Sequence, residues 1–490
     1  MATINRLGVR PGLNSEHFKL IAYGGFGDGH NSYAHAMAWF KGKLYVSTIR
    51  GAFSLMRKRQ AGSLGLDVWP VEGPVDPFDL DLGAEIWAYD PRLDIWERAY
   101  KAPMILGTHG KMIPRDVSYR AMTVHRESDG REVLYACTWS PARGPGPVVL
   151  RSEDGRHFEQ TCEPGLVGLP VTTIRSLVSF KGRLYTTPAG TRGGSQNISG
   201  HVVIYESRDP AAGHWEPAMD AFGFGDVGNK SVHEMCPWGD YLYAGTLNHS
   251  GFQLWRSRCE GEPPYEWEKV LELGCYRGKE NQGILSMMPF KDALYIGTGI
   301  QGGGIDKAND IGPAAAELLR LNEDLSWDLL VGEPRDTPVG YKEPLSGRRA
   351  GFDIFFNGYF WRMAVHEGWL YMGTFEWSGW LGYVHHSRWP GAFSNVLAHV
   401  TPKVLFENQS GFDLYRTNDG VNWVPVTTSG MGNPYNMGLR TLESTPYGLF
   451  LGTANPWGPK VMPLDGDAYT FNPRGGCEVF LGNRPIGRLP

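Results

Sequence analysis

Five polar residues of this chain, Arg50, Glu376, Asp413, Tyr435 and Arg440, could act together on one substrate. Arg50 and Glu376 stand two residues past the end of a recurring phrase. Its other copies carry Ser140, Gly190, Asn248, Ile300 and Asn455 there. Asp413 is the one aspartate among residues opening a later strand, the others being Glu85, Gln253, Glu317 and Glu478. Tyr435 fills a turn position held elsewhere by Gly228 and His30. A carboxylate with restricted solvation is suited to take a proton, and a cation with a phenol to stabilise a departing anion. Asp413, Arg50 and Tyr435 are therefore the expected catalytic group, with Glu376 and Arg440 binding substrate beside them. A second set stands two residues before the Met or Leu of another recurring strand: His35, Arg120, Arg175, His233, Leu285, Trp361 and Arg440. Cations converging on one opening attract an anion. Trp377 and Trp380 offer it an apolar wall, with Trp361 and Trp377 counted among the substrate-binding residues. The structural alternative pairs each arginine with a carboxylate between repeats.

The elements that must position these residues come from a repeat. LYVST at 44–48 returns as LYACT, LYTTP, LYAGT, LYIGT, LYMGT and LFLGT, seven copies in all. A short turn such as Lys41-Gly42 or Glu367-Gly368 precedes the copy, and an apolar alternating stretch precedes the turn. This is a β-hairpin pattern. Hairpins are expected at about 33–48, 119–138, 173–188, 231–246, 283–298, 359–374 and 439–453. A third and usually a fourth strand follow each. S-E-D-G-R-H-F at 152–158 and T-N-D-G-V-N-W at 417–423 are turns of the Asp-box kind. The last copy has no fourth strand, and 18–28 parallels 215–226. The expected fold is thus all-β: one domain over 1–490, a seven-bladed β-propeller closed by an N-terminal strand in the last blade.

The connections between second and third strands are long at 49–84, 299–315, 375–410 and 454–475. Such loops are uncommon unless functional, so the face that carries them is expected to hold the site. Residues that recur serve the fold. The phrase G-[FM]-G-[DN]-x-x-N brings back Asp28 and Asn31 as Asp226 and Asn229, and as Asn433 and Asn436. Side chains of this type cap turns; a structural calcium ion is the alternative. The glycines Gly245, Gly297, Gly373 and Gly452 are expected where backbones approach closely. No other cofactor motif is evident. His385 and His386 are a weak metal signal, and Gly302–Gly304 precedes no helix of the kind a dinucleotide site needs.

Composition narrows the partners. With 41% hydrophobic residues, 65 Gly and a net charge of −5, the chain reads as globular, turn-rich and without the basic block of a nucleic-acid binder. No apolar run is long enough for a membrane span. The six cysteines form no C-x-x-C pair. They read as reduced thiols of a cytoplasmic protein with a small-molecule substrate; the pattern does not address oligomeric state.

The phrases GFGDGHNSYAHAM, EIWAYDPRLDIWE, GPAAAELLRL, GFDIFFNGYFWRM, GFDLYRTNDGVNWVPV and GNPYNMGLRT run from about Phe18 to Gly482. They resemble a large bacterial family of seven-bladed propellers, mostly uncharacterised. The same propeller style is similar to that of the cyanobacterial cyclophane-forming alkylating (Friedel–Crafts) enzymes. That resemblance implies an aspartate activating a phenol, with arginine and tyrosine assisting chloride departure; Asp413, Arg50 and Tyr435 are the matching types. No counterpart of the calcium-binding N-terminal region of those enzymes is expected from this sequence. The first functional expectation is a small-molecule enzyme of specialised metabolism, alkylating an aromatic or lipid-like substrate. The alternatives are a glycan-binding or glycan-cleaving propeller and a protein-binding scaffold.

Overall fold

A computed structural model describes residues 10–57, 66, 68–192, 194–385 and 399–484. His386 lies outside them. The fold is all-β and of propeller type. Among the described residues, 28 strands form one hydrogen-bonded network, and two short hairpins stand apart from it. The repeating unit is a four-stranded antiparallel meander. The first shows it well: Asn31–Phe40, Lys43–Arg50, Glu85–Asp90 and Ile95–Lys101 pair in that order. Further first strands are Ser118–Arg126, Thr173–Phe180, Asn229–Trp238, Gly283–Phe290, Asn357–His366 and Gly438–Thr445. Single bridges join most meanders to the next, for example Ile49 to Ser118 and Phe375 to Gly438. Tyr33 of the first meander lies opposite Ala454 of the last. Phe18–Ala22 pairs antiparallel with Val479–Gly482, the last strand of the chain among the described residues, and lies outside it. No helix among the described residues is long and apolar enough to cross a membrane.

Local chemistry explains the unit. Lys41 and Gly42, like Glu367 and Gly368, both have positive φ. That backbone twist matches a tight hairpin turn. The Gly of the LYxGT phrase faces the next meander's first strand. A Cβ on Gly297 would stand 2.5 Å from the Phe360 carbonyl, and one on Gly373 2.6 Å from Leu439. Entry into five of these first strands is held by a buried asparagine. Asn31, Asn229, Asn281, Asn357 and Asn436 each donate one amide hydrogen to a turn carbonyl and another to the residue opening the third strand. Those acceptors are Glu85, Gln253, Glu317, Asp413 and Glu478. Buried polar groups need such partners, so this recurrent pair fixes the turn to the sheet. The Asp-box-like turns are built as expected: Asp154 and Asp419 each accept two backbone N–H groups. All six cysteines are free and buried.

Candidate functional site

The first strands do not run evenly. In each, the ladder skips a residue or two about halfway along. Ala34 pairs with Thr48 and Ala36 with Ser47, so His35 has no partner. The same skip falls at Arg120, His233, Leu285, Trp361 and Arg440, and across Arg175–Ser176. A bulge puts two successive side chains on one side of the strand. The bulge residues therefore form one tier lining the cavities between the first strands. The residues after them, including Glu234, Ser286, Arg362 and Thr441, form a second.

Two chambers follow from the two tiers. The inner one, about 240 Å³, is lined by Glu234, Arg362, Thr441 and several methionines. The outer one, about 220 Å³, is lined by His35, Arg120, Arg175, His233, Trp361 and Arg440. His35, Arg120 and Arg175 touch both. The loops after the second strands roof the outer chamber. A helical turn at 52–57 supplies Ala52, Phe53 and Met56; the turn at 377–380 supplies Trp377 and Trp380; 196–197 and 301–305 complete it. Its wall is aromatic: the Trp361 ring lies 5.7 Å from Tyr359, 5.3 Å from Phe375 and 6.1 Å from Tyr33.

The electrostatics are lopsided. Both chambers together are lined by four arginines and, among the described residues, a single carboxylate, Glu234. Arg362 takes that carboxylate at 3.2 Å. Arg120 donates to the Gln196 carbonyl and to the Asn197 side chain, and Arg175 to Asn197 and the His233 carbonyl. Arg440 is 5% exposed and stacks 5.1 Å above Trp361, while its Nε and Nη1 have no hydrogen-bond partner. Burial, then the neighbouring arginines, pushes its pKa well down; Arg120 is affected alike, and Arg175 falls to about 10. Burial and the same cations hold His35 and His233 well below the usual imidazole range, so both rings are neutral. His35 Nδ1 makes a short contact with the Ser118 hydroxyl.

The chain matches no protein-family model and no curated protein. Among solved structures it is similar to a Niastella koreensis GH74 enzyme: 11% identity, TM-score 0.44, 94% of this chain and 56% of that one. It is similar to prolyl endopeptidases at 11% identity and TM-score 0.40, over 86% of this chain and 46% of theirs. An α-L-arabinofuranosidase from Clostridium thermocellum gives 12% identity and TM-score 0.31, over 64% and 95%. The chain thus spans about half the length of the first two. Similarity at this level carries no conclusion about activity.

The site residues expected from sequence divide in two. His35, Arg120, Arg175, His233, Trp361, Trp377 and Arg440 share the outer chamber. Arg50, Glu376, Asp413 and Tyr435 do not line it, which corrects their expected convergence with Arg440. Arg50 is 2% exposed and binds Asp28 at 2.7 Å and Asn31 at 3.1 Å, turned sideways into the turn-capping network. Asp413 is the acid of the recurrent asparagine pair, accepting from Asn357 and Tyr415. Glu376 is buried and accepts the Ser378 and Gly411 N–H groups. Tyr435 packs its ring on Phe406 and Trp457. The sequence reading missed Arg362 and Glu234. Their signal was adjacency to Trp361 and His233, and it needed the bulge to become legible.

Proposed function

We propose that the chain is a single seven-bladed propeller, closed by pairing of the N-terminal strand with the last blade, and that it binds and turns over a small aromatic molecule in the outer chamber. Support for the architecture is the matched set of meanders, the Phe18–Ala22 pairing and the contact of Tyr33 with Ala454. One observation carries the functional reading: Tyr359, Trp361, Phe375, Trp377 and Trp380 wall a chamber whose floor holds neutral imidazoles and guanidinium groups. Flat rings stack on such walls. A neutral His35 touching the chamber is suited to hydrogen-bond a substrate hydroxyl, with the arginines beside it stabilising an anion formed there. This is chemistry that suits an enzyme acting on an activated aromatic ring, with His35 and the arginines facing it in place of Asp413.

The test is saturable quenching of tryptophan fluorescence by naphthalene-type ligands. Trp361→Ala should weaken binding by about five- to a hundredfold, since base or ring stacking on an aromatic side chain is worth about 1–3 kcal/mol. Quenching that does not saturate, or that is the same in the variant, would sink this reading. Glycan recognition is the second reading, favoured by the same aromatic platforms. Hydrolysis of a glycosidic bond ordinarily uses two flanking carboxyl groups. Glu234 is the one such group lining the chambers among the described residues. The glycan reading is therefore weighted toward binding, and titration with neutral and uronic oligosaccharides tests it.

A further inference from the structure

We infer that the outer chamber selects ligands bearing a carboxylate, received by the guanidinium of Arg440 while the aromatic body lies along the Trp361 wall. This rests on the chamber reading above and adds the charge class of its ligand.

Three observations carry it. Arg440 is nine-tenths buried or more, lines the chamber, and has two nitrogens without a hydrogen-bond partner. Leaving N–H donors of a charged group unsatisfied in the interior is costly. Its stacking on Trp361 orients the guanidinium but satisfies no donor. The second observation is charge balance. Four buried or half-buried guanidinium groups face the two chambers, and Glu234 is the one carboxylate lining them among the described residues. Glu234 is already engaged by Arg362. Among the described residues, Arg120 and Arg175 bond to neutral oxygens alone, of carbonyl, amide and hydroxyl groups. A buried cation lacking a counter-charge is a strong destabilising feature unless a ligand supplies the charge.

The third observation is the shape and polarity of the remaining surface. Ile49, Phe53, Met56, Leu285, Tyr359 and Phe375 add apolar surface to the lining. The complement of such a chamber of about 220 Å³ is a small molecule with one compact anionic end and a flat apolar body. A carboxylate suits it better than a phosphate monoester. The carboxylate monoanion needs fewer donors than a phosphate dianion.

The experiment compares naphthoate, naphthamide and naphthyl phosphate by calorimetric titration of the full chain. Naphthoate should bind about ten- to a hundredfold more tightly than the isosteric amide, the range expected for a charge-assisted hydrogen bond. The preference should collapse in Arg440→Met and in Arg440→Gln. The wild-type comparison stands even if neither variant folds. Equal binding of acid and amide by the wild type would overturn the carboxylate inference and leave the aromatic chamber standing. Tighter binding of the phosphate would overturn the carboxylate class. Survival of the acid preference in folded variants would remove Arg440 from the role. If none of the three compounds binds, the chamber reading and this inference fall together.

Discussion

Replacing Glu376 by glutamine should stabilise the protein, and by an amount that grows with pH. Glu376 lies directly across the ladder from Asn357, as Arg50 does from Asn31 and Asn248 from Asn229. In those repeats, and at Asn455 with Asn436, the residue across donates to the asparagine Oδ1 at 3.1, 3.0 and 3.2 Å. Asn357 Oδ1 is buried and has no donor. The carboxyl opposite can fill that slot only when it carries a proton. Burial, with some repulsion from Asp413, raises its pKa from 4.5 to about 8. Between those values the folded chain holds a proton that the unfolded chain has released. Stability is therefore full below pH 4.5 and falls as pH rises toward 8, by about 1.4 kcal/mol per unit. The accumulated cost at neutral pH is about 3 kcal/mol. Glutamine offers a donor that never titrates. Urea denaturation of wild type and Glu376→Gln across this range should show near-equal stability at the acid end and a widening advantage for the variant above it. Asp413, Asp116 and Glu443 also have raised pKa values, but they are common to both chains and cancel in the difference. A difference that does not change with pH, or a variant less stable throughout, would refute the reasoning.

Arg50→Met should lower stability by about 1–3 kcal/mol, because it leaves the buried Asn31 Oδ1 without its donor; Glu85 keeps Arg98 as a counter-charge. Naphthalene-type binding should persist in it at temperatures where it is folded; loss of binding with unchanged melting would restore the catalytic role read from sequence. Removing residues 1–22 takes away the strand paired with Val479–Gly482 and exposes that edge. Such a chain should aggregate or lose its cooperative melt, and a monodisperse truncation with an unaltered melting curve would contradict the closing role of that strand. His35→Phe, which removes the ring nitrogens, should weaken binding of naphthol more than binding of naphthalene; an equal effect on both would remove His35 from contact with a ligand hydroxyl.

The repeats, their hairpins and the N-terminal partner of the last strand were legible in sequence because each depends on short-range chemistry. Apolar alternation, Lys-Gly or Glu-Gly turns and the asparagine of the G-[FM]-G-[DN]-x-x-N phrase all act within a few residues of one another. The cavity-lining tier of His35, Arg120, Arg175, His233, Trp361 and Arg440 was legible too, since its members hold one position in the repeat. Two things were decided only by the tertiary structure. Strict alternation sends the neighbour of a cavity-lining residue to the opposite face, so Glu234 and Arg362 looked external; the bulge in the ladder returns them to the cavity lining, and a bulge depends on the partner strand. Arg50, Glu376 and Asp413 were unusual residues in recurrent slots. Position in the repeat placed them near the mouth, but the direction of each side chain follows from the buried asparagine it must satisfy across the ladder. That demand turns them into the sheet and leaves the chamber to the arginines and tryptophans of the first strands.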